Sequence, residues 1–265
     1  MTGGVAPGSG RWGDLGARVL SSLALGLIGI VTVWLGGVVF ALFVAAVVGI
    51  IVWELTVMAE TPGPILIGGV AGMCCLGVAL LPPGWGLPLV MLPALLGFGR
   101  TRRIRLPHAI LSILLVLAGY GMVDLRIAFG AQWLVWLVLV VVATDVAGYF
   151  VGRQIGGPKF WPRISPKKTW SGTIGGWVAA ALVGAAAAAF GLAGPEIVPV
   201  SIALSMAAQM GDIVESAVKR RVGVKDSSAL LPGHGGFFDR FDGVLGAAIF
   251  LLLVEQLIAF PPIQG

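Results

Sequence analysis

The sequence predicts an all-α polytopic membrane protein of about nine transmembrane helices with a polar cleft facing the cytoplasm, since each crossing needs roughly 20 apolar residues. Three observations carry that expectation. Hydrophobic residues make up 58% of the 265-residue chain and charged residues only 11%, and the mean hydropathy of +1.00 is far above that of a soluble domain. The apolar residues gather into long runs parted by Gly, Pro and charge. Lys and Arg fall almost wholly in one set of the intervening loops.

In chain order the runs cover 19–35, 37–53, 64–81, 87–99, 106–123, 131–150, 173–193, 196–212 and 244–260. The fourth is short and the eighth carries polar residues. MTGGVAPGSGRWGD has no small-residue cleavage site after a short apolar core, so residues 1–18 read as a cytoplasmic tail before a retained first span. About five N-terminal helices are expected over 19–130. A catalytic region follows over 131–265, with cytoplasmic loops at 151–172 and 213–243.

Nine spans with a cytoplasmic N-terminus put every one of the 17 Lys and Arg residues except Arg126 on the inside. They include the RTRRIR cluster at 100–105 and the basic loops after the sixth and eighth runs. Changing the span count by one after the fifth helix would put the two basic loops on opposite sides, so the asymmetry supports the count as well as the orientation. The implied location is the cell inner membrane, multi-pass.

Several features need only a packing role. Adjacent Cys74 and Cys75 read as small buried hydrophobes. Trp12, Trp53, Trp85 and Trp133, near span ends, read as interfacial anchors, as does His108 beside Pro107. Gly148, Gly152 and Gly156, four apart, and GAAAAAFG at 184–191 read as close helix packing. For the three glycines the alternative is close backbone approach to a phosphate. No Walker-type or Rossmann glycine pattern is present, and nothing points to a nucleic-acid partner.

Acids inside the spans are more informative, because a carboxylate at a helix centre costs about 2.5 to 3.5 kcal/mol on insertion scales. Asp145 in VVVATDVAGYF lies about 7 Å from the predicted cytoplasmic end, within reach of a water-filled cleft. Its bland alternative is a structural ion pair with Arg153. In the eighth run Ser205, Gln209, Asp212, Ser216 and Lys219 recur at three- and four-residue intervals and share one helix face, with Glu215 at its edge. The acids and lysine at its cytoplasmic end favour a cavity wall over a hydrogen-bonded seam.

Two basic loops continue that wall. In GRQIGGPKFWPRISPKKTWSGTIGG (152–176), Ser165, Lys167, Lys168, Thr169 and Ser171 precede a helix start, a combination that binds anions. KRRVGVKDSSALLPGHGGFFDRFDG (219–243) holds eight of the chain's charged residues and adds Asp226, Asp239 and Asp242 to Asp212. Hard carboxylate oxygens beside lysines suit Mg²⁺ bridging a polyphosphate. Gly235 and Gly236 in PGHGG allow backbone amides to approach phosphate, and His234 offers a hydrogen bond or a proton.

These residues resemble a family. S-x-x-K-R-x-x-x-x-K-D followed by P-G-H-G-G-x-x-D-R-x-D, from Ser216 through Lys219, Arg220, Lys225, Asp226, His234, Gly235, Gly236, Asp239 and Arg240 to Asp242, is similar to the signature of the phosphatidate cytidylyltransferases. The likeness extends upstream to G-D-x-x-E-S at Gly211–Ser216 and to I-S-P-K-K-T-W. It covers the C-terminal half from residue 145, while the N-terminal half matches only in hydropathy and span number. Ser171 and Ser228 depart from the family's frequent Glu and Gly.

The resemblance implies transfer of the cytidylyl group of CTP to phosphatidate, giving CDP-diacylglycerol and pyrophosphate. It implies Mg²⁺ held by Asp212, Asp239 and Asp242, allows K⁺ beside it, and makes Asp226 a ligand or an orienter of Lys225. Lys167, Lys168, Lys219, Arg220, Lys225 and Arg240 would hold the triphosphate and the lipid headgroup, with Ser216, Gly235 and Gly236 beside them. His234 would contact phosphate, and Asp145 and Glu215 would position cations or water. Partners are the two substrates and membrane lipid, with a homodimer left open.

Two other classes compete. A transporter would explain Asp145 and Asp212, yet leaves D-R-x-D and PGHGG without a role and lacks an inverted repeat between the halves. Another CTP-dependent lipid phosphotransferase, such as a polyprenol kinase, is nearer in chemistry. A CDP-alcohol phosphotransferase would need a D-G-x-x-A-R spacing that is absent around Asp242.

Overall fold

The computed structural model describes residues 11–82, 85–231, 235–257 and 260–261. Every apolar run is a helix there: α1 (Arg11–Leu35), α2 (Gly37–Met58), α3 (Pro64–Leu80), α4 (Leu87–Phe98), α5 (Arg105–Ala128), α6 (Ala131–Ile155), α7 (Trp170–Ala189), α8 (Ile197–Val222) and α9 (Phe238–Leu257). The chain is an all-α polytopic membrane protein, and five of these helices, α2, α5, α6, α7 and α8, are long and apolar enough to cross a bilayer. At 12 residues α4 extends only about 18 Å, short of a hydrocarbon core of roughly 30 Å.

The helices form two groups. In the first, α2 packs on α3 and α5, and α4 packs on both of those; in the second, α6 to α9 pack in succession, and contact of α5 with α9 joins the groups. Large apolar side chains such as Ile30, Ile65 and Leu182 face outward, as a lipid-facing surface requires.

Close helix approach depends on small residues. A Cβ on Gly148 would sit 3.3 Å from the Gly172 carbonyl oxygen, and one on Gly152 3.4 Å from Gly172 Cα, so these two glycines of α6 serve packing against α7, whereas one on Gly156 would meet nothing within 4 Å among the described residues. On α9 a Cβ at Gly246 would lie 3.0 Å from Gly211 Cα on α8. That contact brings the neighbouring Asp212 and Asp242 to one level of the bundle.

Between α6 and α7 the chain forms an antiparallel hairpin, β1 (Lys159–Trp161) with β2 (Ser165–Thr169), pairing Lys159 with Thr169 and Trp161 with Ser165. Gly156 and Gly157, at φ +65° and +99°, turn the chain out of α6 into it. Thr169 then caps α7, its Oγ1 accepting from the Gly172 amide at 3.2 Å.

The basic loops meet at one end of the bundle, as the charge distribution predicts. Arg103 pairs with Glu60 at 3.3 Å, Thr61 Oγ1 lies 2.8 Å from Thr101 Oγ1, and Arg220 Nε donates to the Ile164 carbonyl of the hairpin at 3.4 Å. Arg126 sits at the opposite end, donating from Nε to the Val33 carbonyl at 2.8 Å. Cys74 and Cys75 are buried and unbridged. Two expected interfacial residues are instead interior. His108 is 0% exposed with Nε2 3.0 Å from Thr56 Oγ1, and Trp133 packs edge-on against Trp136 at 5.7 Å. Neighbouring helices cover these span ends, which a hydropathy profile does not register.

Candidate active site

The polar stripe of α8 divides into two parts. Ser205 accepts from Thr144 Oγ1 at 2.8 Å, while Gln209 accepts from Trp177 Nε1 at 3.0 Å and donates to the Thr173 carbonyl at 3.2 Å. This first half ties α8 to α6 and α7 and is largely a seam. The second half, Asp212 to Lys219, carries the charge.

There Lys168 of β2 forms an ion pair with Asp212, whose other oxygen accepts from Ser216 Oγ at 3.2 Å. Lys219 Nζ lies 2.6 Å from Glu215 Oε2 and 2.6 Å from Asp239 Oδ1, and its side chain is only 13% exposed. A buried ion triad holds only when its remaining lone pairs are satisfied. Asp239 meets that condition, because Oδ2 accepts from the Ser227 amide at 2.9 Å, Ser227 Oγ at 3.0 Å and the Gly236 amide at 2.8 Å. Glu215 does not, since Oε1 is buried without a hydrogen-bond partner among the described residues.

One oxygen from each of Asp212, Glu215 and Asp242 lies within 4.8 Å of the others. Three converging carboxylates, one with an unused buried oxygen, are a donor set suited to a hard divalent cation. The expected ligand set named Asp239 in place of Glu215. In the structure Asp239, in the first turn of α9, is taken up by Lys219 and the amides of the preceding loop.

Beside the carboxylates a cavity of about 520 Å³ opens between α6, the hairpin, α7 and α8, lined among others by Asp145, Asp212, Arg153, Lys159, Lys167 and Lys168. Arg153 donates to the Tyr149 hydroxyl at 2.9 Å, and no ion pair with Asp145 forms. On the other side an apolar groove of about 360 Å³ runs between α5, α8 and α9, past Leu114, Met210, Val214 and Ile249, with Asp242 also in its wall.

Other expected site residues are spread more widely. Lys225 and Asp226 stand exposed, with no hydrogen bond or ion pair among the described residues. Arg220 holds the hairpin, Arg240 is exposed in the first turn of α9, and Gly235 bridges to Leu231, whose amide donates to its carbonyl at 2.9 Å. His234 lies outside the described residues. Glu54 on α2 is a contributor the motifs did not indicate: it is 0% exposed and binds Ser227, Ser228 and the start of α9. Its signal was available as the single charge in an apolar span.

A family model described as the cytidylyltransferase family matches residues 16–258. The chain belongs to that family. Its relatives include the phosphatidate cytidylyltransferase of Brucella suis biovar 1 (strain 1330), 38% identical over 263 residues, 95% of this chain and 97% of that protein. Those of Bacillus subtilis (strain 168), 40% identical over 137 residues, and Helicobacter pylori (strain ATCC 700392 / 26695), 42% over 125, are matched over 49% and 46% of this chain and 50% and 47% of their own. The family match thus reaches well into the N-terminal half, where the motifs alone showed only hydropathy, and it includes Glu54.

Proposed function

We propose that the chain transfers the cytidylyl group of CTP to phosphatidate, releasing pyrophosphate and leaving CDP-diacylglycerol in the membrane. One observation carries this reading: the carboxylate trio stands between a cation-lined cavity and an apolar groove, with Asp212 in the wall of one and Asp242 in the wall of the other. A water-soluble polyanion and a lipid can then meet at one point. A phosphate oxygen of the lipid attacks the α-phosphorus of CTP, the bond to the β-phosphate oxygen breaks, and pyrophosphate leaves. The attacking group is already anionic, so no strong general base is needed.

Asp212, Glu215 and Asp242 would hold Mg²⁺, which when bound neutralises charge on the reacting phosphates. Lys167, Lys168, Lys159 and Arg153 would receive the triphosphate in the cavity; Lys168, paired with Asp212, is placed to turn from carboxylate to phosphate. Lys219 holds Glu215 and Asp239 in place. Leu114, Met210, Val214 and Ile249 would take an acyl chain. The site would face the cytoplasm, where CTP is supplied, from the inner membrane. The test is purified protein in detergent with labelled CTP, phosphatidate and Mg²⁺. A labelled liponucleotide that EDTA suppresses is expected. Label passing from the γ-phosphate to a lipid alcohol, or no lipid product from folded protein, would overturn the reading.

A further inference from the structure

Glu54 sits in the helix group without the catalytic motifs, yet both its oxygens are committed to the segment that carries them. Oε1 accepts from Ser228 Oγ at 2.6 Å and from the Phe237 amide at 2.9 Å. Oε2 accepts from Ser227 Oγ at 3.0 Å and from the Phe238 amide at 2.8 Å. The two amides open α9, where a carboxylate also complements the helix dipole. Gly236 leaves no room for a side chain, since a Cβ there would collide with Ser227 Oγ and Glu54.

The contacts continue into the site. Ser227 Oγ lies 3.0 Å from both Glu54 Oε2 and Asp239 Oδ2, so its one proton is shared between two carboxylates. Asp239 in turn holds Lys219, which holds Glu215. We propose that Glu54 is a positioning residue, a buried latch from α2 that fixes Ser227, Ser228 and the first turn of α9, and thereby sets Asp239, Glu215 and Asp242 against Asp212. It touches no substrate. The latch makes the first helix group a working part of a site whose reacting groups all lie in the second.

The test uses full-length protein carrying Glu54→Gln, which keeps the volume but offers one acceptor oxygen and turns an NH₂ toward two donors. Deuterium exchange in peptides covering 235–241 should speed up about tenfold, as expected for losing one or two hydrogen bonds. The kcat for liponucleotide formation should fall about 10²-fold, the scale of an ångström-sized misplacement. Half-maximal Mg²⁺ should rise, KM for CTP should stay within about threefold because the cavity is untouched, and Glu54→Asp should recover part of the kcat. Unchanged exchange and unchanged kcat would overturn the latch. If Glu54→Gln does not fold, Ser228→Ala removes one of the four bonds and should shift exchange and kcat in the same directions by less; no shift in either would overturn it too. The kcat readout rests on the proposed cytidylyl transfer, whereas exchange does not. Wild-type protein that makes no liponucleotide defeats the function and leaves the latch to be judged on exchange alone.

Discussion

Two carboxylates are fully buried among the described residues, one in each helix group, and they are treated in opposite ways. Glu54 in the first group has four donors on two oxygens. Glu215 in the second has Lys219 on one oxygen, and its other oxygen meets no donor among the described residues. A saturated carboxylate cannot take a further ligand without losing a bond it already has, so Glu54 suits structure. An unsaturated one costs stability until something binds, so Glu215 suits chemistry. The contrast separates scaffold from site more sharply than residue type does.

Breaking the unsaturated side should give the largest effects. Asp242→Asn or Asp212→Asn should lower kcat about 10³-fold, equivalent to several kcal/mol of lost charge stabilisation, in a liponucleotide assay at saturating Mg²⁺. Lys219→Met strands Glu215 and Asp239 without their cation and should destabilise the protein by about 3 to 5 kcal/mol, read as a lowered Tm in detergent. Lys168→Ala sharpens the comparison: its partly exposed pair with Asp212 contributes at most about 1 kcal/mol to stability. Its loss should instead raise KM for CTP about tenfold, the scale of one charge-assisted hydrogen bond. Smallest of all, Lys225→Ala and Glu60→Gln, at exposed positions, should leave stability within about 0.5 kcal/mol in the same melts.

Much of this arrangement was legible in the sequence. Nine apolar runs became nine helices among the described residues because hydropathy over a bilayer's length is a strong signal, and the D-R-x-D and G-D-x-x-E-S motifs brought Asp212, Glu215, Asp239 and Asp242 into view. How those acids pair in space was not legible. It depends on Gly211 meeting Gly246 and on which oxygens the amides of Ser227 and Gly236 reach. The hairpin escaped notice because K-F-W-P-R-I-S-P-K-K-T is broken by prolines and lacks apolar alternation. His108 and Trp133 were misplaced because hydropathy does not distinguish a turn that faces lipid from one covered by another helix. Glu54 was the one charge in α2, a signal that motif matching in the other half passed over.

The central claim is the proposal that Glu215, and not Asp239, would complete a cation site with Asp212 and Asp242. Titration of purified protein with Mn²⁺, followed by electron paramagnetic resonance, tests it without any turnover. Glu215→Gln should weaken Mn²⁺ binding at least about tenfold more than Asp239→Asn does, the first removing a ligand and the second acting only through Lys219. The opposite order, with binding abolished by Asp239→Asn and unchanged by Glu215→Gln, would contradict the account.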